Sequence, residues 1–345
     1  MTRIGPQRRQ RGAALLLALL IMTLVATLAA GMVWLQWRGI EVETAERARA
    51  QADWLLNASL DWGNLILKSS IRNGDPDDDL GQPWATPLEE TKLSSFLSAD
   101  GTHSEDSGPE AYLSGQITDA QSKYNLYNLV GIQGVGRTVE EKRLQILLSA
   151  IGVSPDVGQT IIAGMRASYT AQQNLVDQPG QADSTGSVLM PIELNDLAWY
   201  GIDPKVIKQI EPFVQIIPFT GTTAMTINAN TAPAEVLMAG CGMPAITRAQ
   251  AEAAVMKRQG GPFTSNNAIV VNGLGLGQTS NVCSLTPSTD GTPTSILGFK
   301  SQYFEIYGQL RYEQHVIRER SVIYRKDQFT PIQVLRRERL PPDAT

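Results

Sequence analysis

The residues best suited to chemistry fall into three small groups. Asp75, Asp77, Asp78 and Asp79 crowd four carboxylates into one short stretch. Hard cations such as calcium take oxygen ligands of this kind, but the spacing fits no EF-hand loop, and a set of solvated turn acids is the competing reading. Cys241 and Cys283 are the only cysteines. In an oxidising compartment they read as a disulfide, against the alternative of two buried free thiols. Closing that loop of about 43 residues would stabilise the fold by roughly 4 kcal/mol in the chain-entropy view. His103 and His315 are the only histidines and have no cysteine near them in sequence, so a catalytic zinc site is not expected. No nucleophile elbow, Walker loop or dinucleotide fingerprint stands between a strand and a helix, and the sequence predicts no enzyme.

The third group is at the start. Arg3, Arg8, Arg9 and Arg11 precede an uncharged run from Ala13 to Trp37, and Gly12 sits at the boundary. As a helix the run is about 37 Å long, enough to cross a bilayer. Arginines flank its beginning and Glu41, Glu43 and Glu46 follow its end, so the positive-inside rule puts Met1 in the cytoplasm and the body outside, with Trp34 and Trp37 in the outer aromatic belt. Three readings of this start stand open. It is an uncleaved anchor, a signal peptide cut near Ala26 to Ala30, or a leader of type IV prepilin kind cut between Gly12 and Ala13. In the third case the fifth mature residue is Leu17.

The elements that position these groups follow from periodicity and turn chemistry. Ala48, Ala52, Leu55, Trp62, Leu65 and Ile66 recur at three- and four-residue steps, which predicts one helix from about Ala13 to Ile71. Asn73-Gly74-Asp75-Pro76 stops it, and a polar surface loop is expected to Pro109. Tyr112 to Val130 reads as a hairpin, and Ser301 to Lys326 as two further strands, with a frayed tail beyond Pro331. Between them, Glu140 to Ile151, Asp156 to Tyr169, Pro191 to Tyr200 and Pro204 to Ile216 read as helices. The expected fold is therefore α+β: a long N-terminal transmembrane and amphipathic helix packed on an antiparallel sheet, with a large all-helical subdomain inserted. The expected boundaries are a leader over 1–12, the membrane span 13–37, its continuation 38–72, a loop with the first strands 73–137, the insertion 138–295, C-terminal strands 296–330 and a flexible tail 331–345.

Residues 226–264 resemble a helix-hairpin-helix unit, with a turn at Gly240 and Gly242 and a second helix from Ala249 to Arg258. DNA-binding members of that fold hold phosphate on the amides of a Gly-x-Gly turn. Here the turn is Gly-Cys-Gly-Met-Pro with few bases near it (Arg248, Lys257, Arg258). Net charge is −5, and the four leading arginines leave the exported part more acidic still, so no nucleic-acid partner is expected.

Taken together, RGAALLLALL with Leu17, ITDAQSKYNLYNLV, ELNDLAWYGIDPKVIKQIEPFVQIIP and INANTAPAEVL resemble the K-type minor pseudopilins of type II secretion systems. The resemblance implies a pilin-like helix and sheet, cleavage and N-methylation by prepilin peptidase, and a single-pass inner-membrane protein with a periplasmic main domain. It further implies a place at the pseudopilus tip with I- and J-type minor pseudopilins above the inner-membrane secretion platform, and calcium is known in the family. Pilin-like subunits usually carry Glu at the fifth mature position, where it pairs with a neighbour's ammonium in an apolar bundle; Leu17 cannot. The competing function is a membrane-anchored helix-hairpin-helix DNA receptor of a competence-like system.

Overall fold

A computed structural model describes residues 11–72, 77–92, 111–132, 135–177, 189–219, 223–241, 246–263, 295–312, 315–327 and 329–341. It divides into two units, residues 1–58 and 59–345. With no proline or charge to interrupt the run after Gly12, helix α1 extends from Arg11 to Arg72. In the first unit its apolar side chains from Leu15 to Trp37 are exposed, and among the described residues this is one helix long and apolar enough to cross a membrane.

The second unit holds the rest. Its strands are β1 (Leu88–Lys92), β2 (Ala111–Asp119), β3 (Tyr124–Asn125), β4 (Val214–Gln215), β5 (Ile227–Asn228), β6 (Leu297–Gly298), β7 (Tyr303–Tyr312), β8 (His315–Tyr324) and β9 (Gln333–Leu340). Its further helices are α2 (Asn128–Gly131), α3 (Val135–Ala150), α4 (Pro155–Asp177), α5 (Pro204–Ile210), α6 (Ala234–Cys241) and α7 (Arg248–Arg258), with a 3-10 helix at Leu194–Tyr200. The five-stranded sheet has the order β1-β2-β7-β8-β9, and its strands pair antiparallel throughout. Alternation along β7 is complete: Phe304, Ile306 and Leu310 are buried, while Glu305, Tyr307 and Gln309 point to the other face.

Leu60 and Leu67 of α1 pack with Trp84, Ile117, Phe304, Ile306 and Ile323. The buried face of this helix turn is Leu60, Gly63, Leu67 and Ser70, rather than the expected Trp62 and Leu65, which are exposed. Gly63 is the reason the pattern misleads. A Cβ there would lie 3.3 Å from Ile306 Cδ1, so the helix approaches the sheet through a residue that apolar periodicity does not count.

Helices α3 to α7 and the short parallel pairs β3–β4 and β5–β6 enclose a separate core. Leu144, Leu147, Leu148, Ile161, Met165, Ile207, Ile210, Val236 and Leu237 are buried in it. The chain leaves the sheet after β2 and returns at β7, and because β2 and β7 are sheet neighbours the excursion does not split the sheet.

Four expectations are corrected. Tyr112 to Val130 is not a hairpin: β2 pairs with β1 and β7, the Asp119-to-Lys123 break is a 3-10 turn capped by Asp119, and Tyr124–Asn125 pairs with β4 inside the insertion. The stretch after α1 is not only surface loop, since Trp84 is buried against Phe304 and β1 adds an edge strand. The tail is not frayed over Gln333–Leu340, which forms β9 on β8. Its sequence QVLRRERL is polar on both faces, which hides an edge strand from a hydrophobicity-based reading. Gly240 lies in α6 rather than in a turn; a Cβ there would come within 2.6 Å of Leu297 Cδ2.

The register of α1 on the sheet is open to a direct check. Leu67→Ala should cost about 2–5 kcal/mol in denaturant unfolding of the purified protein, whereas Leu65→Ala should stay within about 0.5 kcal/mol of wild type. Equal effects would contradict the packing described.

Candidate functional site

Where the insertion leaves and rejoins the sheet, four chain segments meet in a buried polar junction. Asp119 closes β2. Its Oδ1 accepts the Gln121 backbone N–H at 2.8 Å. Its Oδ2 accepts from Thr231 Oγ1 at 2.6 Å, Ser301 Oγ at 2.6 Å and Asn228 Nδ2 at 3.0 Å. Asn228 Nδ2 also lies 3.0 Å from the Asp78 carbonyl. Gln121 completes the tie, donating to the Thr226 carbonyl at 2.9 Å and accepting from the Gln302 N–H at 2.6 Å.

Beside this carboxylate sits a buried ion pair. Arg325 Nη2 reaches Asp78 Oδ1 at 2.7 Å and Oδ2 at 2.8 Å. Its Nη1 donates to the Leu67 carbonyl at 3.0 Å and to Ser70 Oγ at 2.9 Å, and the guanidinium stacks 4.5 Å from the Phe304 ring centroid. Asp78 also accepts the Ser301 N–H at 2.8 Å. One arginine therefore joins α1, the segment after it, and the start of β7. A pair so fully enclosed adds little net stability over apolar residues, but loss of one partner strands a charge. Among the described residues Asp119 has hydrogen-bond donors but no cation on it. Burial pushes its carboxyl up to about 6 from 3.8, against the opposing pull of Ser301, Thr231 and Gln121, and the nearby Asp78 charge adds to the rise.

A second buried network lies within the insertion. Arg143 Nε donates to Glu140 Oε1 at 3.0 Å, and its Nη1 donates to the carbonyls of Ala239 and Gly240, each at 2.9 Å. It thereby satisfies the C-terminal carbonyls of α6, which no intrahelical N–H can reach. Tyr124 Oη donates to Glu140 Oε2 at 3.0 Å. Burial raises the Glu140 carboxyl against the pull of Arg143.

The expected site residues are distributed over these features. Ala13 and Leu17 are exposed on α1, and Gly12 lies in its first turn. Cys241 ends α6 and is buried; among the described residues there is no free cysteine, and Cys283 lies outside them. Asp75 lies outside them too. The other acids do not converge: the Asp77 carbonyl accepts from Gln82 Nε2 at 2.9 Å, Asp78 is held by Arg325, and Asp79 Oδ1 accepts the Gly81 N–H at 2.7 Å. Among the described residues no three His, Cys, Asp or Glu gather as metal ligands do, and Asp78 is one half of a buried ion pair. The basic residues of the helical pair are also engaged. Arg258 Nη1 donates to the Ala229 and Ala232 carbonyls at 2.9 and 2.6 Å, and Arg248 bonds Glu235 at 2.7 Å and the Ala150 carbonyl. Sequence reasoning missed Asp119, Asn228, Ser301 and Arg325. A polar residue inside an otherwise strand-like or apolar segment was the one available signal.

A long apolar helix that continues onto an antiparallel sheet, with a helical excursion pinned at the sheet, defines a pilin-like fold whose N-terminal helix is long and apolar enough to cross a membrane. Residues 227–282 match the family model described as type II secretion system (T2SS), protein K. The chain is 26% identical over 349 residues to type II secretion system protein K of Pectobacterium carotovorum subsp. carotovorum, covering 96% of each. It is 25% identical over 247 residues to the protein K of Pseudomonas aeruginosa, covering 68% of each. The fold is shared with a crystal structure of the GspK-GspI-GspJ complex from the enterotoxigenic Escherichia coli type 2 secretion system, at a TM-score of 0.58 and 17% identity, covering 86% of this chain and 98% of that one. The chain is thus similar to type II secretion system protein K along nearly its whole length.

The junction carries a pH signature. Because the folded state holds the Asp119 proton more tightly than the unfolded chain does, the stability this contributes is complete below about pH 3.8 and is lost as pH rises through about 6. Asp119→Asn cannot titrate, so the unfolding free energy of wild type relative to the variant should fall between pH 4 and pH 7. A difference that stays flat over that range, or rises, would contradict the assignment.

Proposed function

We propose that this chain is a minor pseudopilin that caps or nucleates the tip of the periplasmic pseudopilus together with I- and J-type minor pseudopilins. From there it drives export of folded proteins across the outer membrane. The observation that carries the reading is end-to-end correspondence with a protein K over 96% of both chains, which includes the membrane helix, the sheet and the insertion alike. The shared fold with a K subunit solved beside I and J subunits supports the choice of partners.

Physical arguments point the same way. A fifth mature residue that is Leu17 cannot offer a carboxylate to the ammonium of a neighbour above it, which is tolerable where no neighbour stands above. An insertion with its own core, side by side with the sheet, adds bulk that a packed shaft has no room for. In this reading Met1 faces the cytoplasm, α1 spans the inner membrane once, and the remainder stands in the periplasm above the secretion platform.

Maturation by prepilin peptidase belongs to the same proposal, with cleavage between Gly12 and Ala13 and methylation of the new terminus. N-terminal sequencing and mass analysis of protein recovered from membranes should begin at Ala13 with one added methyl group. Gly12→Val should leave the precursor uncut. A mature terminus beyond Ala30, or normal processing of the variant, would overturn the pilin-type reading.

A Cys241–Cys283 disulfide is proposed as well. The supporting facts are that Cys241 is buried and is no free thiol, and that Cys283 is the only other cysteine. Thiol labelling of denatured, unreduced protein from its native compartment should find none, and two reactive thiols would refute the bond.

A further inference from the structure

At the seam between the insertion and the outer strands of the sheet lies a pocket of about 40 Å³, which the proposed function does not use. Gln215 of β4 reaches it from the insertion and Arg320 of β8 from the sheet. Gln215 is 5% exposed, yet both its side-chain oxygen and its side-chain nitrogen are buried without a hydrogen-bond partner among the described residues, as is Arg320 Nε. Arg320 is held in place from its other end, where Nη2 donates to Glu338 at 2.9 Å. Buried polar groups are nearly always paired, so three unpaired atoms on two residues that line one small space point to a bound group.

Charge and size choose among candidates. Lys123, Arg320 and Arg336 face Glu193, Glu211 and Glu305 around the pocket. An anion would meet three carboxylates and leave the Gln215 oxygen unsatisfied. A cation would meet three basic groups and leave two donors unsatisfied. Only a neutral group that both donates and accepts can serve all three atoms. A water needs roughly 10–15 Å³ of such space, which leaves room for about three, or for one amide.

We propose that this pocket binds a small neutral hydrogen-bonding group, supplied either by ordered water or by an amide of a partner chain. The site bridges insertion and sheet, so what occupies it helps hold the insertion down.

The test uses the full-length protein in detergent, with the Gln215 side-chain amide followed by NMR and identified by its loss in Gln215→Met. A nuclear Overhauser contact to long-lived water assigns the solvent source. A saturable shift on titration with acetamide assigns a pocket open to an amide. In either case Gln215→Met, which keeps the volume and removes the hydrogen bonds, should lower the melting temperature by several degrees. Neither NMR effect in wild type would overturn the proposal whether or not the variant folds, and so would a variant that melts at or above wild type.

Discussion

The structure depends on how two buried carboxylates are satisfied at one point. Asp78 is neutralised by Arg325, and Asp119 beside it is held by donors from two other segments. These groups lie far apart in sequence, and the price of burying them unpaired would be several kcal/mol for each ion. That cost is what selects one arrangement: only the arrangement that brings α1, the segment after it, the insertion and β7 together gives Asp78 its counter-charge and Asp119 its donors. Apolar contact between α1 and the sheet supplies attraction without direction; the junction supplies the direction.

From that constraint the architecture follows. A chain that exits at Asp119 and re-enters at Ser301 has both ends of its excursion fixed within hydrogen-bond distance of each other. The loop-closure cost of what lies between grows only slowly with length, so a whole helical subdomain can be carried by a small sheet. The second network, with Arg143 on the end of α6, anchors the helix that bears Cys241 to α3 and keeps the insertion a body with its own core. The sheet with the end of α1 and the insertion thus keep separate cores on one chain.

The legibility of each part tracks the range of the forces that make it. Helix α1 with its apolar run, β7 and β8, and the helices of the insertion were readable because apolar periodicity acts over a few residues. The turn of α1 on the sheet was misread, since Gly63 marks close approach by what it lacks. β9 escaped because an edge strand with Arg336 and Arg337 paired to Glu193 and Glu319 needs no apolar face. Asp119 and Arg325 escaped for a different reason: their partners lie tens to hundreds of residues away, and nothing local distinguishes them from surface charges. Asp78 was singled out for its neighbours in sequence, when its partner in space is Arg325.

The central claim is that this chain ends a filament instead of being repeated through it. Immunogold labelling of the periplasmic domain on assembled pseudopili tests this most directly. Gold confined to one end of each filament is the result the account predicts; gold distributed along the shaft would contradict it, even with the leader cut and the disulfide both present as proposed.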